Sequence, residues 1–168
     1  LNCPPPRNFR QLLCPPASAR LSLRAPVFSG KVKRSAAQSR GIRYEKKVQK
    51  YLLEQFEDFY LPSPWLHFRE EGQEDFRWAQ PDGLLIDGIK GIINIVEIKY
   101  SHTADAWWQV RRLYLPVLQK LFPPTLWRYE ALEVVKWYDS DTIFPEKVQL
   151  VDNPMRSSSH FKVHIFNN

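Results

Sequence analysis

The sequence predicts an α/β domain in which a mixed central sheet is flanked by helices, in the order helix, strand, strand, strand, helix, strand. Three observations predict it. Residues 41–60 carry apolar side chains at steps of three and four, residues 81–99 read as two strands about a turn, and a second helical stripe after residue 101 leads into an aromatic and β-branched run. At 168 residues, 43% of them hydrophobic and 14% aromatic, the chain has enough apolar material for one domain with its own core.

The first helix follows from Tyr44, Val48, Tyr51, Leu52, Phe56, Phe59 and Tyr60, the spacing of one helix face. At about 100° per residue from Tyr44, Glu45 falls inside that apolar stripe, while Lys46, Lys47, Lys50, Glu54, Glu57 and Asp58 fall opposite. An unpaired buried carboxylate is costly, so Glu45 should meet a lysine or a bound cation, or else snorkel from the edge of the stripe. After the breaker Pro62-Ser63-Pro64, residues 65–69 read as a strand.

The central hairpin is the most specific element. A turn at Asp87-Gly88-Ile89-Lys90-Gly91, closed with Gly88 opposite Gly91 and Asp87 opposite Ile92, sets Asp82 across from Glu97. Opposed residues have Cβ atoms about 5 Å apart, close enough for two carboxylates to share a divalent cation. On the second strand, period two puts Ile93, Ile95, Glu97 and Lys99 on one face and Asn94, Val96 and Ile98 on the other, as expected of a strand covered on both sides. An E-x-K triplet alone is common, so the opposed acid, not the triplet, carries the signal.

The second helix begins at Ser101 or Thr103, takes Asp105 in its first turn, and shows the stripe Ala106, Trp107, Val110, Leu113, Tyr114, Val117, Leu118 and Leu121, with a kink expected at Pro116. Gln109 borders the stripe, where its amide either reaches the cleft or stays at the surface. Residues 126–138 read as a long strand and 161–166 as a last short one.

The arrangement Pro81-Asp82, then Glu97-Ile98-Lys99, with an acid at Glu45 on the preceding helix, resembles the PD-(D/E)xK nuclease superfamily over roughly residues 41–138. Gln109, ten residues after Lys99, is similar to the RecB-like branch, where a Gln and a Tyr follow on the next helix; here the Tyr is Tyr114, one position later than usual. The resemblance implies a restriction-endonuclease-like core and a Mg²⁺- or Mn²⁺-dependent deoxyribonuclease. Asp82, Glu97 and the Ile98 carbonyl would hold the metal, Glu45 a second metal or a metal-bound water, Lys99 would act on the attacking water or the phosphate, and Gln109 would orient. Two alternatives stand beside it: a silent nuclease-fold protein that binds DNA without cutting, and a homodimeric junction resolvase.

Charge divides unevenly. Residues 1–40 hold eight Arg or Lys and no acid, and the other 128 residues are slightly acidic, so the net +6 arises in the first forty. Rich in Pro, Ser, Ala and Arg, this stretch is expected to be a disordered arm, with the domain spanning 41–168 and folding without it. It has the make-up of an organellar presequence or of a phosphate-gripping arm; a chain starting at Leu1 also fits a fragment, an unusual start or translated upstream sequence, and a cytoplasmic location is the default. Cys3 and Cys14 both fall within it, which leaves the remainder without a disulfide framework or four-cysteine site. No apolar run reaches the roughly 20 residues of a membrane span. DNA contacts are expected from Arg69, Arg77, Lys90, Arg111 and Arg112, with Trp108 for base stacking and Trp107 in the core. His67, His102, His160 and His164 show no ligand spacing, and His102 alone, just after Lys99, merits a mutant.

Overall fold

The computed structural model describes residues 11–27, 34–101, 104–136, 143–158 and 160–167. Its first strand lies in the stretch expected to be disordered. Strand β1 (Pro16–Ser22) pairs antiparallel with β3 (Trp65–Glu70), which in turn pairs with β4 (Phe76–Ala79), forming a small sheet of order β1-β3-β4. The segment before β1 is anchored as firmly. Buried Glu70 accepts the amides of Leu13 (2.6 Å) and Cys14 (2.9 Å) and ion-pairs with Arg77, and Glu71 N–H donates to the Pro15 carbonyl. Composition suggested an arm with nothing to bury; what it did not reveal is that this backbone completes a sheet edge and satisfies a buried carboxylate.

Helix α1 (Ala36–Phe56) starts five residues earlier than expected because Ser35 and Gln38 form a capping box: Ser35 Oγ accepts the Gln38 amide and Gln38 Oε1 accepts the Ser35 amide. The helix start expected at 41 therefore moves to Ala36, with Ser35 as its cap. Tyr44, Val48, Tyr51 and Leu52 form the buried stripe as expected. The helix ends at Phe56, with Glu57 at φ +39°, and one 3₁₀ turn (Glu57–Phe59) leaves Phe59 exposed and Tyr60 in a strand, not on the helix face.

That strand, β2 (Tyr60–Pro62), pairs antiparallel with β5 (Gly83–Asp87), which pairs antiparallel with β6 (Ile92–Lys99). Residues 65–69 do form a strand, but in the small sheet. Pro62-Ser63-Pro64, with Ser63 at φ +44°, turns the chain out of the central sheet. The hairpin register is the expected one, Asp87 opposite Ile92 and Gly83 opposite Val96. Asp87 Oδ1 caps the turn by accepting the Ile89 and Lys90 amides, and Gly91 takes φ +63°.

A second helical run crosses back: α2 (Ala104–Gln109), a π-helical turn (Val110–Tyr114) and α3 (Leu115–Leu121). The irregularity precedes Pro116. Leu115 N–H reaches back to the Val110 carbonyl, and the Arg112 carbonyl, which a residue other than proline at 116 would have bonded, accepts Leu12 N–H instead (3.3 Å). The chain then enters β7 (Arg128–Val135), parallel to β6, and ends with β8 (Val151–Asp152) and β9 (Lys162–Asn167), the latter parallel to β7.

Among the described residues the result is a mixed α/β architecture with a six-stranded sheet of order β2-β5-β6-β7-β9-β8. One face packs on α1 through Val48, Leu52, Val96, Ile98 and Leu132; the other packs on the broken helix and the small sheet through Ile93, Ile95, Val117, Leu118, Leu66 and Phe68. Strand β6 is thus covered on both faces, with its residues divided between them as period two requires. No described helix is long and apolar enough to cross a membrane.

Candidate active site

Three groups from α1, β2 and the turn after it fix the Asp82 backbone. The Asp82 carbonyl accepts Ser63 N–H (3.1 Å), Gln49 Nε2 (3.0 Å) and the Tyr60 hydroxyl (3.2 Å). Next to it, the Gln80 carbonyl accepts the Tyr114 hydroxyl (2.9 Å), and Gln80 Nε2 donates to Ser63 O (2.8 Å). Gly83 lets the chain pass close to Tyr60, because a Cβ there would run into the Tyr60 ring. The Asp82 side chain turns toward β6, where Oδ2 accepts the Ile98 amide (2.6 Å).

Glu97 and Lys99, two residues apart on β6, share a face, and Lys99 Nζ lies 2.6 Å from Glu97 Oε1. Glu97 is only 2% exposed, and its Oε2 has no hydrogen-bond partner among the described residues. Lys99 also donates to Gln109 Oε1 (3.3 Å), which brings Gln109 to the site. From α1, half-buried Glu45 accepts Gln49 Nε2 (3.2 Å), the amide that also holds Asp82.

These groups titrate together. Burial first, then the neighbouring Asp82 charge, pushes the Glu97 carboxyl up to about 8 and that of Glu45 up to about 7. Burial also raises Asp82, against the pull of Lys99 and the Ile98 amide. For Lys99 burial works downward, but Glu97 and Asp82 outweigh it and hold the ammonium above its ordinary value. Tyr114 and Tyr60 stay neutral donors, their phenols raised by burial and by the same acids.

Three carboxylates against one ammonium leave two negative charges uncompensated if all ionise, so the cleft must take up protons or a cation. The donors are all oxygen, which suits a hard divalent ion such as Mg²⁺ or Mn²⁺, and the orphaned Glu97 Oε2 is a ready acceptor. Among the described residues, no three His, Cys, Asp or Glu side chains are gathered tightly enough to ligate one ion in this conformation. A bound ion would have to draw the carboxylates inward, with backbone or solvent oxygens completing its shell.

An open cleft of about 350 Å³ adjoins the acids, lined by Glu45, Ile98 and Lys99 together with Arg34, Gln38 and Tyr100. The sequence placed Arg34 and Gln38 in the arm and Tyr60 on the first helix's apolar stripe, and did not single out Tyr100 or Gln49. The Ser35-x-x-Gln38 capping box was the legible signal that the helix, and with it the cleft wall, began earlier.

The expected DNA contacts divide. Arg69 lies on the outer face of the small sheet, its guanidinium 5.6 Å from the Phe76 ring centroid. Arg77 points inward to Glu70 and the Gln11 carbonyl, so its assignment as a DNA contact is corrected to a structural ion pair. Lys90 pairs with Asp87 in the turn at the far end of the hairpin from Asp82. Trp108 is buried, so it cannot stack on a base; Trp107, expected in the core, is the half-exposed one and sits beneath Arg111. Arg111 reaches Ser158, and exposed Arg112 covers Trp108. His67 lies on the small sheet, His164 pairs with Glu130, His160 is exposed, and His102 falls outside the described residues.

No protein-family model and no curated protein matches the chain. Among solved structures, a chain from the refined half-complex of a tetradecameric assembly of Thermococcus gammatolerans McrB AAA+ hexamers with bound McrC is similar at 11% identity and a TM-score of 0.43, over 76% of this chain and 27% of that one. At that identity and score the likeness assigns neither fold nor activity.

Proposed function

We propose that the chain is a metal-dependent nuclease of PD-(D/E)xK type that hydrolyses DNA phosphodiester bonds, with Asp82, Glu97, Lys99 and Glu45 as its working groups. The observation that carries the reading is the convergence of these four side chains, from β6, the connection into β5 and α1, into one electrostatically coupled cluster beside an open cleft. The order of α1, the antiparallel strands β2, β5 and β6, the crossover helix and parallel β7 supports a restriction-endonuclease-like core. The π-helical turn supports the RecB-like branch. Hydrogen bonding from residue i to i+5 absorbs one extra residue, and the Tyr, one position late in sequence, still bonds Gln80 in the connection that carries Asp82 while Gln109 reaches Lys99.

Asp82 and Glu97, with the Ile98 carbonyl, would hold Mg²⁺ or Mn²⁺, and Glu45 would bind a second ion or an ordered water. When bound, the ion supplies Lewis-acid polarisation of the phosphate and acidifies water. Lys99, paired to Glu97 and positioned by Gln109, presents an ammonium to charge developing on the phosphate oxygens. Glu45, with its carboxyl raised to about 7, is poised to accept a proton near neutral pH. Arg34, which lines the cleft, offers a cation to the phosphate backbone.

The test is incubation of the purified protein with linear, circular, single-stranded and branched DNA, in Mg²⁺, Mn²⁺ or chelator. Cleavage in metal that stops in chelator is the expected result. Lys99→Ala should abolish most cleavage while DNA affinity stays within a few fold, because one phosphate contact is a small part of the total. Near-normal cleavage by that variant would remove Lys99 from the mechanism. Binding by wild type without cleavage under every condition would favour the silent binding protein.

A further inference from the structure

The outer face of the small sheet has no role in the fold's core. Alternation along β3 and its pairings with β1 and β4 set Trp65, His67 and Arg69 on this face, with Arg20 opposite His67 on one side, and Trp78 opposite His67 and Phe76 opposite Arg69 on the other. His67 lies between two rings, 4.6 Å from Phe76 at 16° and 4.2 Å from Trp78 at 33°, and Trp65 meets Trp78 edge-on at 6.2 Å. Arg20 Nε donates to His67 Nδ1 (2.8 Å), and Arg69 flanks Phe76. Cross-strand packing explains the ring contacts. It does not explain why Phe76 is 52% exposed, why no outward position of the three strands is acidic, or why an open cleft of about 330 Å³ lies against Arg20, His67 and Phe76.

We propose that this face binds a single-stranded nucleic acid, its bases stacking along the aromatic row and its phosphates held by Arg20 and Arg69. A duplex keeps its bases paired and presents no free ring faces, whereas exposed aromatics on a sheet stack two or three unpaired bases, and guanidiniums beside them add phosphate and cation–π contacts. The face is also directed. Its Trp65 end begins two residues after Ser63, whose amide holds the Asp82 carbonyl, and Trp78 is four residues before Asp82. The far end closes on the exposed acidic turn Glu71, Glu74 and Asp75, which repels phosphate. A strand on the row therefore leads toward the acid cluster. That direction rests on the acid cluster being the cleavage site; the binding does not.

The test is fluorescence anisotropy of the full chain, in chelator, with a labelled twelve-nucleotide deoxythymidine oligomer and with an abasic oligomer of equal length and charge. Wild type should bind the thymidine oligomer tenfold or more tightly than the abasic one or a blunt duplex. Phe76→Ala, truncating a ring already half in solvent, and Arg69→Gln should each weaken it fivefold or more at unchanged melting temperature. Equal affinity of wild type for the two oligomers, or equal displacement by polyglutamate, overturns the proposal without recourse to any variant. Stacking-dependent binding in chelator, with no cleavage of any substrate once Mg²⁺ or Mn²⁺ is supplied, would leave this face standing and sink the nuclease reading. Cleavage of single strands by Phe76→Ala with unchanged KM would do the reverse.

Discussion

The buried carboxylate of Glu97 gives the metal-free protein an unusual dependence on pH. Burial, then the charge on Asp82, moves its pKa from 4.5 to about 8. Between those values the folded chain holds a proton that the unfolded chain has lost, so this group's contribution to stability is fully present below about 4.5 and is lost as pH rises to about 8. At about 1.4 kcal/mol per pH unit, the upper bound on this loss is on the order of 5 kcal/mol, a large share of a domain's stability. Glu45, raised to about 7, and Asp82, also raised, act in the same direction, the half-exposed Glu45 more weakly because solvent screens it. His67, lowered by burial and by Arg20, acts oppositely, and a comparison with a variant cancels it. The assay is urea unfolding at pH 5, 6, 7 and 8 in chelator, for wild type and Glu97→Gln. Wild type should lose stability across the series, Glu97→Gln should lose markedly less, and millimolar Mn²⁺ should flatten the wild-type curve by binding the ionised carboxylates. Stability that is flat or rising from pH 5 to 8 in chelator, or a Glu97→Gln slope equal to that of wild type, would refute the reasoning.

Asp82→Asn relieves repulsion but removes a charged ligand, so in chelator it should melt at or above the wild-type temperature and lose most of the upward shift produced by Mn²⁺; a variant that keeps the whole shift places the ion elsewhere. Glu70→Ala removes the Arg77 ion pair and leaves the amides of Leu13 and Cys14 without their acceptor, and should cost about 3–5 kcal/mol in chemical denaturation, whereas a loss below about 1 kcal/mol would show that the segment before β1 is not anchored through this carboxylate. Gly83→Ala drives a methyl into the Tyr60 ring and should destabilise by about 1–3 kcal/mol, with Tyr60→Leu in the same chain recovering part of the loss; an unchanged melting temperature would contradict the close approach. A chain beginning at residue 41 lacks β1 and the capping box of α1, and should show a broad or lower thermal transition, not the cooperative wild-type one.

The sequence by itself determined the parts that depend on local periodicity. The symmetric turn placed the β5–β6 register, the apolar steps placed the buried face of α1, and period two divided β6 between two cores, because each of these is set by geometry within a few residues. Those same elements carry Asp82, Glu97, Lys99 and Glu45, so most of the candidate site was legible. Tertiary structure decided what depends on distant partners. Pro16–Ser22 has little strand character of its own and becomes β1 only because β3 offers an edge and Glu70 binds the amides preceding it. Arg77 reads as a solvent cation until Glu70, seven residues earlier, captures it, and the two adjacent tryptophans exchange their expected places because helix phase alone does not say which packed element covers each. The one-residue delay of Tyr114 reads as a misfit in sequence; only the π-turn, stabilised where Pro116 frees a carbonyl for Leu12, brings the hydroxyl to the Gln80 carbonyl.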